Sequence, residues 1–285
     1  MDSKQFEAAK KFAATPSGRI AYAEAGKGPV ALFVHGVVVN SWIWRHQLAG
    51  LADIRRCIAV DTLAHGATEV SDTQSVSSEA QATMLVQLLD ALKIDKVDLI
   101  GNDGGGAVCQ IFAVNNPHRI RTLTLTDCDT HDNWPPQAFQ GFVDMVAAGG
   151  LRDTLSAMLA DKNVFRTALG PCYENTATVS DETIEAYLRP YFSSPNRIRG
   201  LERFVGAFDC VQTVGIERKL RFIEAPTQIL WATDDVYFDK KWAHWLGERI
   251  SGTRRVVEVE DARLFFFEER SKWFNDQLRQ HWLSA

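Results

Sequence analysis

The sequence predicts an α/β fold, a mostly parallel central sheet flanked by helices, with a helical cap inserted into it. Three observations carry this expectation. Short apolar runs alternate with helix-period stripes at both ends of the chain, the pattern of parallel strands joined by helical crossovers. The middle, residues 131–224, offers helical stripes alone. With 285 residues, 46% of them hydrophobic and 24% charged, the chain can bury a full core without a disulfide or metal staple.

In chain order, residues 19–25 alternate weakly, as an edge strand does. The run Val-Ala-Leu-Phe-Val at 30–34 is apolar throughout and suits a strand buried on both faces, ending at His35-Gly36. Residues 57–60 form the next strand, ending at Asp61. Met84, Leu85, Leu88, Leu89 and Leu92 then repeat at i, i+3, i+4 spacing, a helix face. Residues 97–100 lead into Gly101-Asn102-Asp103, and Val108, Ile111 and Phe112 mark the following helix. Residues 123–125 run into Thr126-Asp127-Cys128-Asp129.

Four stripes fill the middle: Phe139 to Val146, Leu151 to Leu159, Ile184 to Tyr191, and Leu201 to Phe208. Strands resume at 228–231, which end at Asp234-Asp235. A helix marked by Trp242, Trp245 and Leu246 follows, then a strand at 255–259. The implied division is a core at 1–130 and 225–285 with a cap at 131–224. Ligands of such sheets bind beyond the carboxyl ends of the strands. Those ends carry His35, Asp61, Asp103, Asp127, Asp129 and Asp235.

The 36 acidic and 31 basic residues give a net charge of −5 with no long run of one sign. Nucleic-acid partners favour basic surfaces, so none is expected. Residues 1–19 lack an apolar signal core, and no stretch approaches the ~18 apolar residues of a membrane span. The five cysteines are scattered and never form a CxxC, which suits buried thiols in a reducing compartment. The expectation is a cytoplasmic monomer or homodimer, with no membrane partner, no cofactor and no metal.

The most informative stretch is Gly101-Asn102-Asp103-Gly104-Gly105-Gly106. A strand enters and a helix leaves, with glycine two before and two after the apex, as a sharp nucleophile-bearing turn requires. With an aspartate at the apex, the chain resembles the α/β-hydrolase superfamily, in its aspartate-nucleophile branch of epoxide hydrolases and haloalkane dehalogenases. The His35-Gly36 turn, Trp44-Arg45, the Trp134-Pro135 cap entry and Phe265-x-x-Glu268-Glu269 extend the likeness along most of the chain. The resemblance implies that Asp103 attacks carbon to form an ester, while the backbone amides of Val37 and Gly104 hold the oxyanion. It places Asp235, or alternatively Asp127, as the acid. It also places His35, Trp134, Tyr187 and Leu264 around a pocket for a hydrophobic small molecule.

The sequence departs from the family at the base. Where the resemblance expects a histidine, before Phe265, the chain has Leu264, and one position earlier it has Arg263, which stays protonated. His131, beside Asp132 at the cap entry, and His65 are the substitute bases within reach of the strand ends. The usual halide donors are also missing, because Val37 and Gly104 hold their places. The leading expectation is a hydrolase acting on an epoxide or similar electrophilic carbon, with Asp103 as nucleophile or general base. The alternatives are a lyase, isomerase or cyclase using Asp103 for proton transfer, a haloalkane dehalogenase, and a non-catalytic ligand-binding protein.

Overall fold

The computed structural model describes residues 1–284. Within them lie β1 (Lys10–Thr15), β2 (Gly18–Ala25), β3 (Val30–Val34), β4 (Arg56–Val60), β5 (Val97–Asp103), β6 (Ile120–Cys128), β7 (Thr227–Ala232) and β8 (Thr253–Val259). They form one sheet in the order β1-β2-β4-β3-β5-β6-β7-β8. β2 is antiparallel to β1 and β4, and all remaining pairings are parallel. Every residue of β3 and β7 is buried, as expected where crossover helices cover both faces. Helix Ser78–Ala91 packs on helix Gly104–Asn115, and helix Arg45–Leu51 packs on helix Ser271–Leu283.

All seven strands expected from the sequence form. β5 continues past its apolar run to Asp103 because Gly101 and Asn102 still pair with Leu125 and Thr126 of β6. β1 is not among the expected strands. Its residues are mostly solvent-facing, so no apolar run announces it; it exists as a hairpin partner of β2, joined through Pro16-Ser17.

Between β6 and β7 there are only helices and turns, including Gln140–Ala147, Leu151–Ala160, Lys162–Ala168, Asp181–Leu188 and Pro195–Gly206. The stripe expected to run from Ile184 to Tyr191 is broken at Leu188. A 3-10 turn, Arg189–Phe192, takes over, since Pro190 has no N–H to continue the α-helical ladder. Tyr187 and Tyr191 therefore do not share one helix face.

The topology also fixes where a ligand can sit. β3 leads to β4 on one side of it, whereas β5, its other neighbour, leads to β6 on the opposite side. Connections that diverge in this way leave a crevice above the carboxyl ends of β3 and β5. Asp103 and the His35–Val37 loop meet there. Among the described residues, no helix is long and apolar enough to cross a membrane.

Candidate active site

The turn from β5 into helix Gly104–Asn115 puts Asp103 at φ 53°, ψ −135°, a strained conformation for a residue with a Cβ. Close packing enforces it. A Cβ on Gly105 would lie 2.4 Å from the His35 carbonyl oxygen, and one on Gly36 would lie 2.0 Å from Asp103 Oδ2. The two loops interlock because both positions are glycine.

The Val37 N–H donates to Asp103 Oδ2 at 2.9 Å. Burial pushes the Asp103 carboxyl up to about 6, and the amides of Val37 and Gly104 pull it back toward the anion. A second strained residue follows Val37 in the same loop. Val38 has φ 68°, rare for a β-branched side chain, and its carbonyl accepts the Tyr191 hydroxyl at 3.1 Å.

Asp103 opens into a cavity of about 150 Å³. Its walls are largely apolar, with Val37 and Leu264 from the sheet edge and Phe139, Phe142, Met158 and Phe208 from the helical insertion. Asp103, Asp129, Cys172 and Tyr237 are the polar side chains among them with ionisable groups. Leu264 occupies the wall position expected of it, and its carbonyl accepts from the Asn102 side chain at 3.3 Å, which ties this loop to β5. Arg263 turns away, donating to the carbonyls of Gly170 at 2.9 Å and Tyr173 at 3.3 Å.

Several expected site residues lie elsewhere. Asp127 and Asp235 face each other outside the cavity wall. Asp127 accepts from the Ala232 N–H and the Thr126 hydroxyl, both at 2.9 Å. Asp235 accepts from the amides of Tyr237 at 2.7 Å and Phe238 at 3.2 Å. Burial raises both, Asp235 to about 7, and the two carboxyls hold loops with no histidine to orient.

His131 is a correction. Its ring lies against Trp245 with centroids 4.9 Å apart, and its nitrogens contact Asp132 at 3.2 Å and Glu217 at 3.3 Å, away from the cavity. His65 is buried outside the wall with Nδ1 3.0 Å from the Leu63 carbonyl, and burial lowers it to about 3. His35 Nε2 accepts the Thr62 N–H at 3.1 Å, so Nδ1 carries the proton and donates to the Gly36 carbonyl at 2.7 Å. It shapes the turn rather than the wall. Trp134 is buried beside Phe208, with ring centroids 5.9 Å apart, behind the cavity.

The tyrosines are engaged too. Tyr173 and Tyr187 donate to Glu268 Oε2 at 2.8 and 3.3 Å, and Arg45 pairs with the same carboxylate. Tyr187 is thus part of a clamp between insertion and core, not of the pocket. Tyr237 and Cys172 carried no signal in the sequence, because a lone tyrosine or cysteine in a loop has none. Asp129 did stand at a strand end, two residues past Asp127, but nothing in the pattern separates those two until β6 ends at Cys128. Among the described residues, no group of three or more His, Cys, Asp or Glu side chains converges as a metal site would.

A family model described as alpha/beta hydrolase fold matches residues 29–270. The chain belongs to this family. A 2-hydroxy-6-oxo-2,4-heptadienoate hydrolase of Pseudomonas putida is 38% identical over 105 residues, 36% of this chain and 38% of that protein. Epoxide hydrolase 2 of Caenorhabditis elegans is 27% identical over 95% of this chain and 79% of its own length. Among solved structures, the epoxide hydrolase CorEH without ligand superposes with a TM-score of 0.80 at 21% identity, covering 96% of this chain and 98% of that one. At that identity the likeness speaks for the fold of this family member alone.

Proposed function

We propose that the protein opens an epoxide, or a similarly electrophilic carbon, in a compact hydrophobic molecule, with Asp103 as the nucleophile. The observation that carries this reading is a carboxylate held by a backbone amide at the floor of an apolar cavity. An aspartate at an elbow apex can displace oxygen from an sp³ carbon and become an alkyl ester. The amides of Val37 and Gly104 already address this carboxyl, so they remain in place to hold the oxyanion when water attacks the ester. The helical insertion acts as a cap that excludes bulk water. A cavity near 150 Å³ is about the size that holds benzene, so the favoured substrate carries one ring or a branched chain of similar bulk.

A proton-transfer reading, as a lyase, isomerase or cyclase, draws on two observations. Leu264 lines the cavity where the family resemblance expects a histidine, and Asp103, pushed up to about 6, lies near the value useful to a general base at neutral pH. A dehalogenase reading finds less support, since the cavity wall presents no indole or amide side chain to a halide.

Single-turnover reaction with styrene oxide in ¹⁸O-water tests the proposal, read by intact-protein and peptide mass spectrometry. An adduct on Asp103, or heavy oxygen in its carboxylate, is the expected result. Labelled diol with no label in the protein replaces nucleophilic attack with base-catalysed addition of water. Saturable binding of the epoxide without any product overturns the enzymatic reading. The Asp103→Asn variant should give neither adduct nor diol.

A further inference from the structure

The cavity holds a second carboxyl that neither the sequence pattern nor the family resemblance assigns. Asp129 lines the same wall as Asp103 and is 2% exposed. Its Oδ1 is buried with no hydrogen-bond partner, and its Oδ2 lies 3.8 Å from where a Cβ on Gly104 would stand. The residue after Asp103 is a glycine, so no side chain at position 104 stands between the elbow backbone and the Asp129 carboxyl.

Their surroundings differ in one respect. Asp103 accepts from backbone amides, whereas the Asp129 side chain makes no hydrogen bond. Two carboxyls in one apolar cavity do not both ionise, and the one with donors keeps the charge. Asp103 is then the anion and Asp129 the acid. Asp235 is the further carboxyl that acts on Asp129, and Cys172 and Tyr237 complete the ionisable groups on the wall.

We infer that Asp129 is the catalytic acid and base that serves Asp103 in place of the family histidine. This rests on the proposed epoxide opening and supplies its missing proton path. In the first step an Asp103 oxygen forms a bond to an epoxide carbon, the carbon–oxygen bond of the ring breaks, and the Asp129 proton passes to the departing oxygen. In the second step water attacks Cγ of the Asp103 ester and gives a proton to the Asp129 carboxylate. The tetrahedral oxyanion, held by the Val37 and Gly104 amides, collapses. The departing alkoxide takes the other water proton, which leaves a diol, the Asp103 anion and protonated Asp129. No external acid or base is consumed.

The test compares the wild type with Asp129→Asn and Asp129→Ser, using styrene oxide and intact-protein mass spectrometry, with near-ultraviolet circular dichroism to confirm folding. The asparagine amide can still donate to the epoxide oxygen but cannot take a proton from water. The expected result is a stable adduct on Asp103 in Asp129→Asn, with diol release at least 100-fold slower than in the wild type. Diol release at the wild-type rate from either folded variant overturns the inference. If the wild type itself forms neither adduct nor diol, the epoxide reading fails, and the pairing is judged separately by ¹³C NMR of labelled aspartates. A lower titration of Asp129 in Asp103→Asn supports the pairing; an unchanged titration overturns it.

Discussion

At the scale of single residues, the site depends on a few atoms whose positions are over-determined. The Tyr191 hydroxyl holds the carbonyl of strained Val38, one residue beyond the Val37 amide that donates to Asp103. Tyr191→Phe removes one hydrogen bond worth about 1 kcal/mol. It should lower kcat several-fold with little change in KM, because the amide acts on charge that grows in the transition state. Steady-state kinetics on an accepted epoxide check this. Leu264→His places an imidazole on the cavity wall that Asp103 shares. It should accelerate diol release where an ester accumulates, most visibly in the Asp129→Asn background, as rapid-quench measurement of adduct decay will show.

At the scale of elements, the insertion is bound to the core through a buried polar clamp. Glu268, after β8, takes the Arg45 guanidinium from the core and the hydroxyls of Tyr173 and Tyr187 from the insertion. The next residue, Glu269, accepts from the amides of Glu174 and Asn175 at 2.8 and 2.9 Å. Removing one partner of a buried ion pair strands the other charge, at a cost of about 3–5 kcal/mol. Glu268→Ala should therefore lower stability by that order in urea unfolding. Its first visible effect should be protease cleavage within the insertion.

For the whole molecule, two sets of buried groups give stability opposite dependences on pH. Asp103 and Asp235 titrate near 6 and 7 in the fold, above the ordinary carboxyl value of 3.8. Between those limits the native state binds more protons than the unfolded chain, so these acids lower stability as pH rises through the window. His35 and His65 are lowered to about 4 and 3 by burial, so the unfolded chain binds the extra protons below 6.5. They raise stability over much of the same range and so oppose the acids. Asp103→Asn deletes one member of the first set. Its stability relative to the wild type should increase by about 2 kcal/mol as pH rises from 4 toward 7, measured by urea unfolding at a series of pH values. A variant that loses activity while gaining stability at neutral pH is the expected behaviour of a buried functional anion.

The sequence by itself determined the layered α/β fold, the helical middle and the elbow at Asp103. Each is written in local pattern: apolar runs for buried parallel strands, i, i+3, i+4 stripes for helices, and glycines where the backbone must turn or approach closely. Through the family resemblance it also put Leu264 at the place where a histidine is expected. The destinations of side chains were decided by tertiary structure alone. Asp127 and Asp129 are two residues apart at the end of one strand, yet one caps the β7 turn and the other enters the cavity, because β6 stops pairing between them. His131, Tyr187 and Arg263 all stand near the right edge in the sequence, and each is drawn off by a partner distant in the chain: Glu217, Glu268 and the Gly170 carbonyl. A titratable group goes where its charge or proton is satisfied, and those partners are assembled only when the chain has folded.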